Sequence, residues 1–468
     1  MAEKKKSDAK KLQEQLFYKK KNTCEEVSAT EIKKCDKFCE GYKTFLDGSK
    51  TEREAVINAV ELAKKNGFKE YKAGKALKAG DKVYTVNRGK AVILAVIGKE
   101  PIENGVKIAA AHIDSPRLDL KQCPVYEDND IALFKTHYYG GIKKYQWTAL
   151  PLALHGVIVK SDNTTVNVCV GEDDNDPVFC VTDLLPHLAT AQMERKAPQI
   201  IRGEELNILI GSRPFKADDI SEKVKLNILN ILFEKYGITE ADFLSAELEA
   251  VPAHKARDVG FDRSMIGSYG HDDRVCSYTA LMATFDCKAP NKTVVTVLTD
   301  KEEIGSDGNT GLNSSYLKYF IYELAKQSKV DGWTVLSKSE CLSADVNAAF
   351  DPTFPDVNEK NNTAYINKGV CVTKYTGSRG KAGTSDASAE FTGKVRNLLD
   401  KNGVIWQTGE LGKVDAGGGG TVAMYIANLN VDVIDVGVPV LSMHAPFEVV
   451  SKLDVYMAYR AFLVFMEE

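Results

Sequence analysis

The stretch TVVTVLTDKEEIGSDGNTG, Thr293 to Gly311, places two adjacent glutamates, Glu302 and Glu303, behind an apolar run and ahead of several glycines. Adjacent carboxylates repel each other, and neighbours on an extended chain point to opposite faces. Similar groups follow other apolar runs: His112 and Asp114 after GVKIAAA, Asp272 and Asp273 after SMIGSYGH, Asp345 in LSADVN and His444 in LSMHAP. The chain has only seven histidines, and two of them stand at these positions. Imidazole and carboxylate together suit zinc and related divalent ions. Five such positions fit two ions that share one bridging carboxylate. One glutamate of the pair can then ligate metal while its neighbour, directed elsewhere, handles protons. A nearby cation offsets the repulsion that would otherwise raise a carboxylate pKa. Two ions about 3.5–4 Å apart polarise a carbonyl and activate the water between them. A general base must take that water's proton and return it to the departing amine.

Such groups need strands to carry them. GVKIAAAHID is a nearly continuous apolar run, the pattern of a central strand covered on both faces. DKVYTVNRGKAVILAVIG reads as a hairpin-like pair, and residues 20–65 read as helices, with AVINAVELAKKNG closing on a glycine. After residue 265 strand and helix alternate. DDRVCSYTALMATFDC has Val275, Tyr278, Met282 and Phe285 at helical spacing, and the strand TVVTVLTD follows it. VDVIDVGVPVLSMHAP reads as one late strand. Between about 120 and 260 the character changes to short strand-like pieces separated by Asp, Asn and Gly turns, with one helix, EKVKLNILNILFEKYG. The expected fold is α/β, with a mostly parallel central sheet covered by helices and interrupted by a β-rich insert. The expected divisions are 1–119, 120–260 and 261–468, the first and last forming one domain. Ligands of such sheets bind beyond the carboxyl ends of the strands.

Composition bounds the rest. At 468 residues the chain exceeds one simple core, and 44% apolar with 27% charged residues is ordinary for a globular protein. A net charge of −4 gives no reason to expect nucleic acid as a partner. No apolar run approaches the roughly 20 residues of a membrane span. The basic start, MAEKKKSDAKKLQEQLFYKKKNTCEE, lacks a hydrophobic core segment and reads as a solvated helix or arm rather than a secretion signal. Ten scattered cysteines, of which only Cys35 and Cys39 are close, read as free buried thiols of a cytoplasmic protein. DAGGGGTVAMY lacks the Lys-Ser/Thr ending of a phosphate loop and reads by itself as a tight turn.

Six stretches, AAHIDSPRLDLK, GSYGHDDRVCSYTAL, DKEEIGSDGNTG, SADVNAAFDP, KYTGSRGKAGTSDA and SMHAPFEVVSKLD, resemble in order those of the aspartyl aminopeptidase / aminopeptidase I family of dinuclear zinc exopeptidases, in its bacterial branch. The resemblance covers nearly the whole chain, insert included. It implies that His112 and Asp345 bind one zinc, Glu303 and His444 the other, and Asp272 bridges them, with Asp272–Asp273 a candidate cis peptide. Glu302 would be the general base and Asp114 would orient the His112 ring. Cobalt or manganese are alternatives to zinc.

It further implies that Gly418 and Gly419 line the substrate pocket and that Lys374, Tyr375 and Ser385 contact substrate. His187 would reach a partner subunit's active site. The insert would build dimers, six of which assemble into a tetrahedral dodecamer that admits short peptides with a free N-terminus. The family name suggests N-terminal Asp or Glu. Lys374 would be its cationic partner, with Arg379 and Lys381 in reserve. Broad, neutral or basic specificity is the alternative. A two-metal deacylase or amidohydrolase, or a non-catalytic shell protein, are the rival readings.

Overall fold

The computed structural model describes residues 7–468, so the first six residues of the basic N-terminal stretch lie outside it. The helix Asp8–Leu16 within that stretch buries none of its side chains.

Three sheets organise the chain. The largest has nine strands. Its centre is a parallel block in which Val106–His112 lies between Thr293–Thr299 and Glu340–Ser343, with Asp432–Gly437 next to the latter. Antiparallel neighbours flank the block: Ala91–Val96 pairs with Thr293–Thr299, and Val370–Thr373 with Asp432–Gly437. The Lys82–Asn87 and Ala91–Val96 hairpin stands where the sequence placed it. Alternation along the 106–112 strand sends Val106, Ile108 and Ala110 into one apolar core and Ala109 and Ala111 into another. Both faces are therefore covered, which explains the unbroken apolar run. The helix His271–Asp286 departs from the one-sided stripe predicted for it. It is buried almost all round, Arg274, Ser277 and Thr279 included, while Met282 is only half-buried. It packs against the sheet and against two helices, Ala29–Asp47 and Lys452–Glu467, so no face is left for solvent.

A seven-stranded sheet is drawn from strands between Arg117–Asp128 and Ala246–Pro252, its neighbours antiparallel, with an apolar core of its own. Much of its contact with helix Glu52–Lys65 is ionic. Asp119, Glu249, His155 and Cys169 stand opposite one another across four strands. Helix Glu52–Lys65 brings the first-turn acids Glu52 and Glu54 to this row. His155 hydrogen-bonds Glu54 at 2.7 Å and Glu172 at 3.1 Å. Lys90 pairs with Glu52 at 3.2 Å, and Lys255 with Glu172 at 2.7 Å.

The third sheet has five short strands and did not figure in the sequence reading. VDVIDVGVPVLSMHAP is not one strand. Asp432–Gly437 belongs to the large sheet, Pro439–Leu441 to the small one, and His444 sits in the turn before Glu448–Ser451. Gly437 allows the crossover, because a Cβ there would lie 1.7 Å from the Asp345 carbonyl oxygen. All ten cysteines are free, but Cys24, Cys123 and Cys169 are exposed rather than buried. Among the described residues no helix is long and apolar enough to cross a membrane.

Candidate active site

Three of the predicted groups leave the carboxyl ends of the central parallel strands. His112 ends its strand, Glu302 and Glu303 form the turn after Thr293–Thr299, and Asp345 follows Glu340–Ser343. Asp272 and His444 come from beside the small sheet and meet them at the seam. The Asp272–Asp273 peptide is cis.

Asp272 lies between the two imidazoles, one oxygen toward each. His112 Nε2 is 3.0 Å from Oδ1, and His444 Nε2 is 3.1 Å from Oδ2. The other ring nitrogens are occupied by carbonyls. His112 Nδ1 donates to the Asp114 backbone oxygen at 3.0 Å, and His444 Nδ1 donates to the Gly141 oxygen at 2.9 Å. Each Nε2 is thereby aimed into the cluster, where it hydrogen-bonds Asp272 and, once deprotonated, could present its lone pair to a cation. Glu303 Oε2 stands 3.6 Å from His444, while Glu302 and Asp345 stand 3.9 and 4.0 Å from His112.

No lysine or arginine forms an ion pair with these carboxylates among the described residues; their ion-pair partners are the two histidines. The protonation behaviour follows. Burial, with Asp272 close by, drives Glu303 well above the usual carboxylate range. Burial and the neighbouring Glu302 do the same to Asp345. Glu302 is pushed up to about 7, mainly by burial. Asp272 goes the other way, because hydrogen bonds from His112 and His444 outweigh its burial. His444 is raised to about 10, its contacts with Asp272 overcoming burial.

A divalent cation fits this arrangement. Glu303 Oε1 and both oxygens of Asp273 are buried without a hydrogen-bond partner. Donor atoms of His112, Asp272 and Glu303 lie within 4.8 Å of one another, as do those of His112, Asp273 and Asp345. Imidazole nitrogen with carboxylate oxygen is the donor set of zinc. Asp273, which the sequence reading left without a role, thus stands beside one of the two donor groups. Glu302 and His444 belong to neither.

Asp114 holds the turn that carries the glutamates. Its Oδ1 accepts the Glu302 amide at 3.1 Å, and its Oδ2 accepts the Glu303 amide at 3.2 Å. Glu448 was missed by the sequence reading, although SMHAPFEVV contains it. Its carboxylate accepts the amides of Asp272 at 3.1 Å and His444 at 2.7 Å, tying the two groups of the small sheet together. An acid between apolar residues on a buried strand was the available signal.

A cavity of about 420 Å³ opens over the cluster, lined by Glu302, Asp345, Thr376, Gly418, Gly419 and Tyr425 among others. A second, of about 750 Å³, adjoins it across Gly141, Leu411, Met443 and His444. Gly418 and Gly419 both line the cavity over the cluster. Gly418 has φ +115°, and a Cβ there would lie 1.9 Å from the Gly377 carbonyl oxygen. Lys374, Tyr375 and Ser385 are not among the lining residues of either cavity. Lys374 and Lys381 both pair with Asp386, at 2.6 and 2.9 Å, and the Tyr375 hydroxyl donates to Glu410. His187 sits on the exposed turn Pro186–Leu188 of the seven-stranded region and lines neither cavity.

The model of the aminopeptidase I zinc metalloprotease family (M18) matches residues 45–466. A probable M18 family aminopeptidase 1 of Clostridium acetobutylicum is 52% identical over 459 residues, covering 96% of this chain and 99% of the relative. The crystal structure of an M18 family aminopeptidase from Thermotoga maritima superposes with a TM-score of 0.92 at 43% identity, covering 96% of this chain and all of the other. A dodecamer structure of S. cerevisiae mApe1 shares the fold, with a TM-score of 0.74 at 21% identity over 92% of this chain and 97% of that one. The chain belongs to the aminopeptidase I zinc metalloprotease family, and it is a zinc metallo-aminopeptidase by that membership.

Proposed function

We propose that this aminopeptidase removes single residues from the N-terminus of short peptides with two zinc ions and one proton-carrying glutamate. His112 and Asp345 would hold one ion, Glu303 and His444 the other, and Asp272 would bridge. The observation that carries this reading is the Asp272 carboxylate, with one oxygen toward each of two imidazoles amid acids that no lysine or arginine balances. Zinc bound there supplies polarisation of the scissile carbonyl and a lowered pKa for water. Glu302 lines the cleft with its carboxylate 3.9 Å from His112 Nε2, so it can take a proton from attacking water and return it to the departing amine. Asp114 fixes Glu302 through the backbone amide, and the Nδ1 contacts of the two histidines fix their rings. Cobalt or manganese in place of zinc would use the same donors.

The acidic preference expected from the family name needs a cationic partner in the pocket. Lys374 and Lys381 are committed to Asp386, and among the described residues no lysine or arginine lines the cavity over the cluster. The lining supports a neutral or broad N-terminal specificity instead. The seven-stranded region is the proposed dimerisation domain and the dodecamer the proposed assembly. Support comes from the exposed run 182–188, in which Leu184, Leu185 and Leu188 are half exposed or more, and from the fold shared with a solved dodecamer. His187 lies in that run and would act on a partner subunit. A cytoplasmic location agrees with ten free thiols.

A panel of aminoacyl anilides, free and N-acetylated, with zinc, cobalt or manganese, tests the activity. The expected result is cleavage of the free amines only, leucyl at least as fast as aspartyl. Cleavage of the acetylated series would reassign the chain to amide hydrolysis, and faster aspartyl turnover would restore the acidic preference.

A further inference from the structure

We propose that Tyr139, Gly140 and Gly141, the exit of a strand of the seven-stranded sheet, form a positioning segment that sets Asp114, Glu303 and His444 in place for metal. This inference rests on the two-zinc reading and adds to it a part for the insert within its own subunit.

Three consecutive residues each meet a different group of the site. The Tyr139 hydroxyl donates to Asp114 Oδ2 at 2.8 Å, the same oxygen that accepts the Glu303 amide. Gly140 has φ +76°, and a Cβ there would stand 3.2 Å from Glu303 Oε2 and 3.3 Å from Pro116, so a side chain would crowd the glutamate. The Gly141 carbonyl accepts His444 Nδ1 and fixes which ring nitrogen faces the cluster.

The segment is itself held rigidly. Tyr139 ends the strand Ile131–Tyr139 and faces Arg117 across the ladder. The Arg117 guanidinium lies 3.9 Å from the centre of the Tyr139 ring. Arg117 is pinned in turn by Asp119 at 2.8 Å, Glu249 at 3.3 Å and Glu52 at 3.4 Å. An unbroken set of contacts thus runs from the ionic junction through the aromatic ring to the turn that carries both glutamates. Asp114 is fully buried, so water cannot replace the lost hydroxyl freely.

The test is zinc affinity, read by competition with a chromogenic chelator and independent of turnover. Groups that orient metal ligands change affinity by about 10–100-fold when altered. Tyr139→Phe should weaken zinc binding by that factor and lower kcat more than it raises KM. Tyr138→Phe, a change at the neighbouring half-exposed tyrosine, should do neither. The loss should vanish in an Asp114→Asn background, because Tyr139 acts through Asp114. Zinc affinity of Tyr139→Phe within two-fold of wild type, or an equal loss on top of Asp114→Asn, would overturn the proposal. Should Tyr139→Phe not fold, Gly140→Ala carries the test, and wild-type affinity in that variant would overturn it equally. Wild-type protein that binds no zinc removes the two-zinc reading and this inference with it. Zinc-binding wild type with unaffected variants removes this inference alone.

Discussion

At the junction between the seven-stranded sheet and helix Glu52–Lys65, the buried acids have cationic partners: Lys90 for Glu52, Arg117 for Glu249, Lys50 and Lys255 for Glu172. At the ends of the parallel strands, Asp272, Glu302, Glu303 and Asp345 form ion pairs, among the described residues, with histidine alone. Both regions are buried and rich in carboxylates, the first with His155 between two glutamates and the second with Asp272 between two histidines. Charge balance tells them apart. The first has lysine and arginine among its acids and joins two parts of the chain. The second has a deficit of positive charge that a divalent ion would remove. A buried histidine between acids is thus weak evidence for a metal until the cations around it have been accounted for.

The contrast breaks most sharply at the glutamate pair. Glu302→Gln should retain zinc and lower kcat by roughly 10²–10⁴. Glu303→Gln should lose zinc instead. Equal metal content in the two variants, measured by elemental analysis, would exchange their roles.

Chelation sharpens it further. Glu302, raised to about 7, and Glu303 and Asp345, raised further, favour the folded state only while protonated. That contribution is present below the ordinary carboxylate range and is lost as pH rises through the folded values. The melting temperature gained on adding zinc to chelated protein should therefore grow from pH 5 to pH 8. A gain that is flat with pH would mean the acids are not the groups zinc relieves.

The junction should titrate on its own terms. Burial opposes charge on His155, but hydrogen bonds with Cys169, Glu172 and Glu54 raise it from 6.5 to about 11. Glu172 is lowered from 4.5 to about 2, contacts with His155, Lys50 and Lys255 overcoming burial. The histidine's contribution is whole below pH 6.5 and fades as pH rises toward 11, and the glutamate's is whole above 4.5 and fades toward 2. His155→Gln should cost about 1–3 kcal/mol near pH 6 and progressively less in alkali, with kcat unchanged. A constant difference in thermal unfolding across that range would remove the ion-pair account. The smallest effect is expected at the cleft's rim. Lys374→Leu should change leucyl and aspartyl turnover by less than about two-fold, as removal of one exposed ion pair implies. A selective loss of aspartyl turnover would show that the lysine leaves Asp386 for substrate.

Much of this was legible from residue types. The apolar runs marked the parallel strands because burial on both faces removes polar alternation, and polar groups at their ends marked the cluster. His112, Asp272, Glu303, Asp345 and His444 converge as the spacing and the family resemblance implied. What stayed hidden depends on the third dimension. Pro439–Leu441 continues the apolar pattern of the preceding strand, and nothing local says that the chain changes sheet at Gly437. Lys374 sits in a motif of the family, but its partner Asp386 is twelve residues away on a loop with no periodicity to read. Glu448 and Tyr139 reach groups 176 and 25 residues distant in sequence through hydrogen bonds that no local pattern announces.

The seam between the large and small sheets has a consequence for how the molecule comes into being. The metal-facing groups run from His112 to His444, and two of them belong to the small sheet's surroundings. In the two-zinc reading no stretch shorter than His112 to His444 carries all five proposed ligands, so a nascent or truncated polypeptide would lack the complete centre. Contacts of such high sequence separation form late in folding. If His444 is a ligand, full metal uptake would follow docking of the last quarter of the chain, and binding free energy would be delivered to molecules that are already complete. During refolding, zinc capture should lag behind the recovery of helical circular dichroism, and the ion becomes a stamp of finished assembly as well as a reagent.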